Sequence, residues 1–279
     1  MLKVLKSGFY TTLQDKGRFG FRHKGIPVSG TMDDLARFRV NTLLENAPET
    51  PVLEITMTGP TLLFNTPTFI CISGARLSAT LNNEPIENYH VYKIEKDDML
   101  SYGRLEKGFR AYLGIKGGFQ SKQVLGSVSQ YVPLTADYCV RDGEEIEYTA
   151  CNSFVPKLTD LKFRNYLDKF TLQVDIGPEF EKLSEGQKKK LFSSSFTISN
   201  ENNRMAYQLE ENMQAHSLSM LTSAILPGTI QLTPSGKLII LMKDGQTTGG
   251  YPRILQLDKE AISILAQKRT GDTIEFVKR

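Results

Sequence analysis

From Val52 to Ile115 short apolar runs alternate with turn residues. VLEIT, TLLF, TFICIS, LSATLN, VYKIE, MLSYG and RAYLGI are separated by Gly, Pro, Asn and charged residues. Runs rich in β-branched and aromatic residues between such breaks predict strands at all-β spacing. Residues 2–5 predict one more strand ahead of them. A different period interrupts the series. Met32, Leu35, Ala36, Val40, Leu43 and Leu44 share one helical face, and Asn46-Ala47-Pro48-Glu49-Thr50-Pro51 ends it. The expectation is one inserted helix over about 31–46, capped at Thr31 with Asp34 as its acidic partner.

Residues 150–168 form a polar passage containing Pro156, and a boundary is expected there. The second half restarts with FTLQVDIGP. Residues 178–191 predict a helix, and FTIS, AYQLE and HSLSML predict strands. GTIQLTPSGKLIILM predicts a hairpin turning at Thr233-Pro234-Ser235-Gly236. Asp258 is placed to cap a short helix carrying Ile262, Leu265 and Ala266, and TIEFV predicts a last strand. Acidic turns precede MLSYG, EIEY and TIEF, either an echo between related halves or ordinary turn composition. The fold class expected is mainly β with a few helices, in two β lobes, 1–155 and 156–279.

Composition excludes several classes. With 279 residues, 40% hydrophobic and 23% charged, the chain can bury a sizeable core. A net charge of +3 argues against nucleic acid or an anionic membrane as partner. No apolar run reaches membrane-spanning length, and MLKVLKSGFYTT lacks the apolar centre of a secretory signal. Cys71, Cys139 and Cys151 show no CxxC spacing, which fits reduced thiols and a cytoplasmic location. His23, His90 and His216 are dispersed, so no metal site is expected. There is no GxxxxGK[ST], GxGxxG after a strand, or GxSxG.

Four stretches and one carboxylate in an otherwise apolar strand carry candidate chemistry. Gln14 to Asp33, QDKGRFGFRHKGIPVSGTMD, gathers Gly17, Gly20, Gly25 and Gly30 around Asp15, Arg18, Arg22, His23 and Asp33. Ending on a helix N-terminus, it is either an anion-binding loop or a solvated loop before a capped helix. In DGQTTGGYP the N–H groups of Gly249 and Gly250 can form an anion nest with Thr247 or Thr248, or the segment is a plain hairpin turn. Arg204 offers a planar fork to an anion, or makes a surface ion pair. Gly114 to Gly118 with Leu125-Gly126-Ser127 either wraps a ligand or turns a corner. Glu54, inside VLEIT, is either an outward-facing strand residue or a pocket acid.

In this order, QDKGRFGFRHKGIPVSGTMD, LEITMTGPTLLF, ISGA, YLGIKGG with LGS, NRMAYQLE, and GTIQLTPSGKLIILMKDGQTTGGYP with RTGDTIEF resemble the family of the C-type subunit of bacterial 5-oxoprolinase. That family is also described as allophanate hydrolase subunit 2-like or biotin-dependent carboxyltransferase-like, and it includes an antagonist of a sporulation-kinase inhibitor. The resemblance covers nearly the whole chain. It implies a cyclophilin-like β-barrel, here in the C-terminal lobe. It implies B-type and A-type partner subunits and ATP-dependent opening of 5-oxoproline to glutamate. Without a P-loop, ATP is expected to be shared with a partner. No biotinyl-lysine motif of the AMKM type is present, so covalent biotin is not expected.

On this resemblance Asp15, Arg18 and Glu54 are the expected catalytic residues. Gln14, Ser29, Asp33, Arg204, Gln246, Thr247, Thr248, Gly249, Gly250 and Tyr251 are the expected substrate contacts. The stretches around Asp15 and Thr247 are expected to face one cleft. The chain departs from the family pattern at Val128, Ala206, Gln208, Glu211, Ser223 and Gly245. These departures suit an alternative, a regulatory protein that binds a B-type partner without turnover. A further alternative is the carboxyltransferase component of a urea carboxylase-like enzyme.

Overall fold

The computed structural model describes residues 1–158, 163–218 and 220–279. The chain forms two compact units. One comprises Met1–Arg18 and Ser29–Leu167, the other Phe19–Val28 and Asp168–Arg279. The break therefore lies about a dozen residues beyond the 155/156 division expected from composition. Two contacts explain why the first unit extends so far. The Arg164 carbonyl accepts a hydrogen bond from Arg39, and the Tyr166 hydroxyl donates to Asp33.

The first unit is built from a seven-stranded and a five-stranded antiparallel sheet. The five-stranded sheet runs Tyr10–Gln14, Val52–Thr56, Lys107–Ile115, Thr68–Arg76, Val91–Ile94. Leu53, Ile55, Ile72 and Leu113 from it share one apolar core with Leu2, Val4, Leu62 and Phe64 of the larger sheet. Its opposite face carries the helix α1 (Asp34–Leu43), whose Val40, Leu43 and the following Leu44 pack on Val52, Cys71 and Tyr112. Close approach is possible because residue 114 is glycine. A Cβ there would lie 2.0 Å from Val40 Cγ1.

α1 starts later than the pattern suggested. Its cap is Asp33, whose side chain accepts from the Ala36 amide, and Thr31 instead bonds the Asp34 carboxylate. With both faces covered, every residue of Val52–Thr56 is buried. Alternation of exposed and buried positions is lost on such a central strand.

The second unit contains a closed seven-stranded barrel. Its first strand, Thr171–Ile176, pairs in parallel with its last, Thr273–Lys278. The predicted hairpin is present, with Leu232 opposite Leu238 and Gly236 at φ 92°. The helix predicted over 178–191 is a 3₁₀ turn, Phe180–Lys182, followed by α2 (Glu185–Ser193), which opens with a Ser184/Gln187 capping box. Asp258 caps α3 (Lys259–Leu265) as expected. HSLSML forms no strand among its described residues.

The three acidic turns share one geometry. Asp98, Glu144 and Asp272 each accept a hydrogen bond from the amide three residues earlier. A left-handed residue (Asp97, Gly143, Gly271) precedes each of them. No helix among the described residues is long and apolar enough to cross a membrane.

Candidate functional site

Strand register in the first unit builds a polar row on the sheet face that carries α1. Thr12 lies opposite Glu54, Glu54 opposite Tyr112, and Tyr112 opposite Ser73. Tyr10, Thr56 and Arg110 form the next row. Directly opposed residues share a face, so these side chains point the same way. Ser73 fixes which way, since its hydroxyl donates to the Ala36 carbonyl of α1 at 2.9 Å.

Glu54 is the centre of this row and only 1% exposed. Its Oε2 accepts from the Tyr112 hydroxyl at 2.9 Å and from the Met32 amide at 2.7 Å. Arg110 Nε stands 4.0 Å from its Oε1, and both side chains are buried. Tyr112 in turn accepts from the Asp33 amide at 2.9 Å. Asp33 caps α1 through Oδ1 and takes the Tyr166 hydroxyl on Oδ2.

Burial pushes the Tyr112 phenol well above its ordinary range, and the Glu54 and Asp33 charges add to the shift. It therefore remains a donor at any working pH. Tyr166 is raised in the same way, by burial and then by Asp33. Beside this network, the buried hydroxyls of Thr12 and Ser29 have no hydrogen-bond partner among the described residues. Ser29 also holds a left-handed backbone, φ 56°. Buried polar atoms left without a partner are uncommon, and strain or a bound water explains many of them.

The other residues expected at this site form a clasp. Asp15 Oδ1 accepts from Gly17 N and from the hydroxyls of Ser127 and Ser129, and Oδ2 accepts from Val128 N. Four bonds match the acceptor capacity of a carboxylate. Arg18 is the largest fully buried side chain among the described residues. It donates to the Val124 and Ser129 carbonyls at 3.0 and 2.5 Å. Gln14 donates to the Gln130 carbonyl at 3.2 Å. All three therefore fasten the segment around Leu125-Gly126-Ser127, where Val128 joins the core with its side chain. Gly30 closes the clasp. At φ 81°, its Cβ would stand 2.8 Å from the Lys16 carbonyl.

The second unit holds the remaining candidates. Phe19–Val28 belongs here, so the Gln14–Asp33 stretch is divided between the units. Arg22 reaches the Thr247 carbonyl at 3.5 Å, the outer limit of a hydrogen bond. Thr247 is buried, whereas Gln246, Thr248, Gly250 and Tyr251 are exposed. Thr248–Gly249 is a strand paired with Ser223–Ala224, and neither Gly249 nor Gly250 is left-handed. A nest needs that left-handed step, so this segment does not form one. A Cβ on Gly249 would meet the end of the Gln231 side chain, 2.7 Å from its Nε2. The Arg204 fork is already engaged. Its Nε and Nη2 bind the two oxygens of Asp244 at 2.7 and 3.1 Å. Among the described residues no group of three or more His, Cys, Asp or Glu is placed to hold a metal ion.

Residues 24–278 match the family described as carboxyltransferase domain, subdomain A and B. The chain is also 30% identical to the C-type subunit of Escherichia coli 5-oxoprolinase, over all of this chain and 91% of that protein. This chain belongs to that carboxyltransferase-domain family. Two solved structures extend the likeness. TTHA0988 has 25% identity and a TM-score of 0.90 over 99% of this chain, which spans only 55% of that one. Kluyveromyces lactis urea carboxylase has 27% identity and a TM-score of 0.84 over 99% of this chain, but this chain covers just 27% of it.

Within this family member, sequence reasoning missed Thr12, Arg110, Tyr112 and Tyr166. One signal was available. An arginine in the run GFRAYLGI and a glutamate in VLEIT are opposite charges within otherwise apolar runs, and such charges need partners if buried.

Proposed function

We propose that this chain is one component of a cytoplasmic, ATP-dependent 5-oxoprolinase, which hydrolyses the lactam of 5-oxoproline to glutamate with A-type and B-type partner subunits. The observation that carries this reading is its 30% identity with the C-type subunit of Escherichia coli 5-oxoprolinase, over 91% of that protein.

ATP is assigned to a partner. The N-terminus of α1 is filled by the Asp33 carboxylate, and Gly249–Gly250 has no nest geometry. Neither suits a triphosphate, and no step through ATP is derived in this chain.

The chemistry proposed for this chain lies along the Glu54 row. Opening a lactam adds water to the carbonyl and returns a proton to the leaving nitrogen. Glu54 serves as the base, held by Tyr112 and the Met32 amide. The Thr12 and Ser29 hydroxyls supply polar contacts to substrate, with Asp33 fixing the row. Asp15, Arg18 and Gln14 act one step back by fastening residues 124–130. In the second unit, Gln246, Thr248 and Tyr251 offer exposed polar groups, with Arg204 bracing the neighbouring turn through Asp244.

A second reading is carboxyl transfer from a separate biotin carrier, favoured by the 27% identity with K. lactis urea carboxylase over 99% of this chain. Phosphate release by the chain purified with its two partners separates the readings. The oxoprolinase reading expects release that needs both 5-oxoproline and this chain. Release indifferent to 5-oxoproline, with carboxyl uptake from carboxybiotin instead, would establish the second.

A further inference from the structure

The first unit contains a cavity of about 670 Å³ that none of the candidate site residues lines. That volume suits a small organic molecule. Arg39, Leu77, Ala79, Ile86, Tyr89 and Phe163 are among its walls.

Arg39 is the unusual member. It is 9% exposed. Its guanidinium carbon stands 5.7, 4.8 and 4.7 Å from the ring centres of Tyr89, Phe163 and Tyr166. It donates to the Tyr89 hydroxyl at 3.4 Å and to the Arg164 carbonyl at 2.9 Å, which uses two of its five N–H groups. Arg18, Arg110 and Arg204 each have a carboxylate or tightly held carbonyls to meet them. Among the described residues, no carboxylate lies within the 4.0 Å of an ion pair from Arg39. Asp33 stands behind the Tyr166 ring, whose hydroxyl it binds, so the remaining N–H groups of Arg39 are left for an anion delivered by a ligand.

At Ser78 and Tyr89 the backbone around the cavity is also shaped against ordinary preference. Gly74, Ser78 and Tyr89 all line it, and all three are left-handed, at φ 74°, 42° and 67°. For a residue as bulky as Tyr89 that conformation is strained, and it places the ring against Arg39.

We infer that this cavity is a binding site for a small organic monocarboxylate, its carboxylate on Arg39 and its hydrocarbon part against Leu77, Ala79, Ile86 and Phe163. The charge balance sets the class. Glu87 and Glu106 line the same walls. One negative charge is accommodated, whereas a polyphosphate meets two like charges. The cavity is therefore not a nucleotide site. The inference is independent of the oxoprolinase reading.

Benzoate and its neutral isostere benzamide test it. Calorimetry on the unmodified chain is expected to show benzoate binding at least about tenfold more tightly than benzamide, a difference of about 1.4 kcal/mol. The chain has no tryptophan. Ile86→Trp therefore places a single indole on the cavity wall, and its fluorescence is expected to change saturably with benzoate. Arg39→Met in that background abolishes the preference for benzoate. Equal binding of the two probes, or benzoate binding that leaves the indole unaffected, overturns the proposal. If Arg39→Met does not fold, the benzoate-to-benzamide ratio on the unmodified chain still decides it.

Discussion

Tyr112 gives its hydroxyl proton to Glu54 at 2.9 Å and accepts the Asp33 amide at the same distance. One phenol thus joins a central-strand carboxylate to the cap of α1. Tyr112→Phe keeps the ring in the core and leaves two buried groups short of a partner. It is expected to cost about 2 kcal/mol of stability in denaturant titration, the penalty for a buried unsatisfied group. A loss near zero would show that the hydroxyl is not part of the network.

Asp15 makes a different prediction, because its role is to hold a loop. Asp15→Asn replaces one acceptor oxygen with a donor facing the Val128 amide or a serine hydroxyl. The expected cost is about 3 kcal/mol, with Ser127→Ala alone costing about 1 kcal/mol. Hydrogen exchange should accelerate at Val128 and Ser129 in both variants. Unchanged exchange there would contradict the clasp.

The Glu179–Arg253 pair gives a pH dependence. Arg253 donates Nε and Nη2 to the two Glu179 oxygens at 2.9 Å each, and its amide adds a third bond at 3.0 Å. These bonds, the side-chain ones foremost, hold the Glu179 carboxyl below its ordinary range. A depressed carboxylate pKa contributes stability that is fully present above the unfolded value and is lost as pH falls through the folded one. The contribution is expected above about pH 5 and to fade below it. Glu179→Gln should cost about 2 kcal/mol at neutral pH, discounted for partial exposure, and flatten the acid limb of the stability curve. An acid limb identical to that of the unmodified chain would remove Glu179 from the account.

Thiol reactivity tests the core around α1. Burial pushes the Cys71 thiol up to about 12, while Cys139 and Cys151 are half-buried. Two thiols per chain should react with an aromatic disulfide reagent in the native state, and Cys71 only after unfolding. Fast reaction of all three would mean that the sheet face under α1 opens readily.

Most of the strands, the TPSG hairpin and the Asp258 cap were legible because local pattern and turn chemistry determine them. HSLSML was misread as a strand, and Tyr10–Gln14 and Arg253–Leu257 were missed. Glu54 was singled out, but its burial was not legible. Alternation marks a half-buried strand, and Val52–Thr56 is covered on both faces. The Glu54–Tyr112 contact depends on register between strands 58 residues apart, which no local spacing encodes. Asp15 and Arg18 were found as unusual residues, but their partners on residues 124–129 decide that they are a clasp. Arg204 shows the same limit, since the planar fork was readable and its engagement by Asp244 was not.

The most direct test of the proposed chemistry is phosphate release stimulated by 5-oxoproline, measured on the chain assembled with its A-type and B-type partners, for the unmodified protein and for Glu54→Gln. Glu54→Gln is nearly isosteric, and assembly is checked by co-elution with the partners. The account predicts intact assembly and stimulated release reduced at least about a hundredfold, the scale of losing a general base. Stimulated release within a factor of about two of the unmodified complex would contradict the assignment of Glu54 as the base.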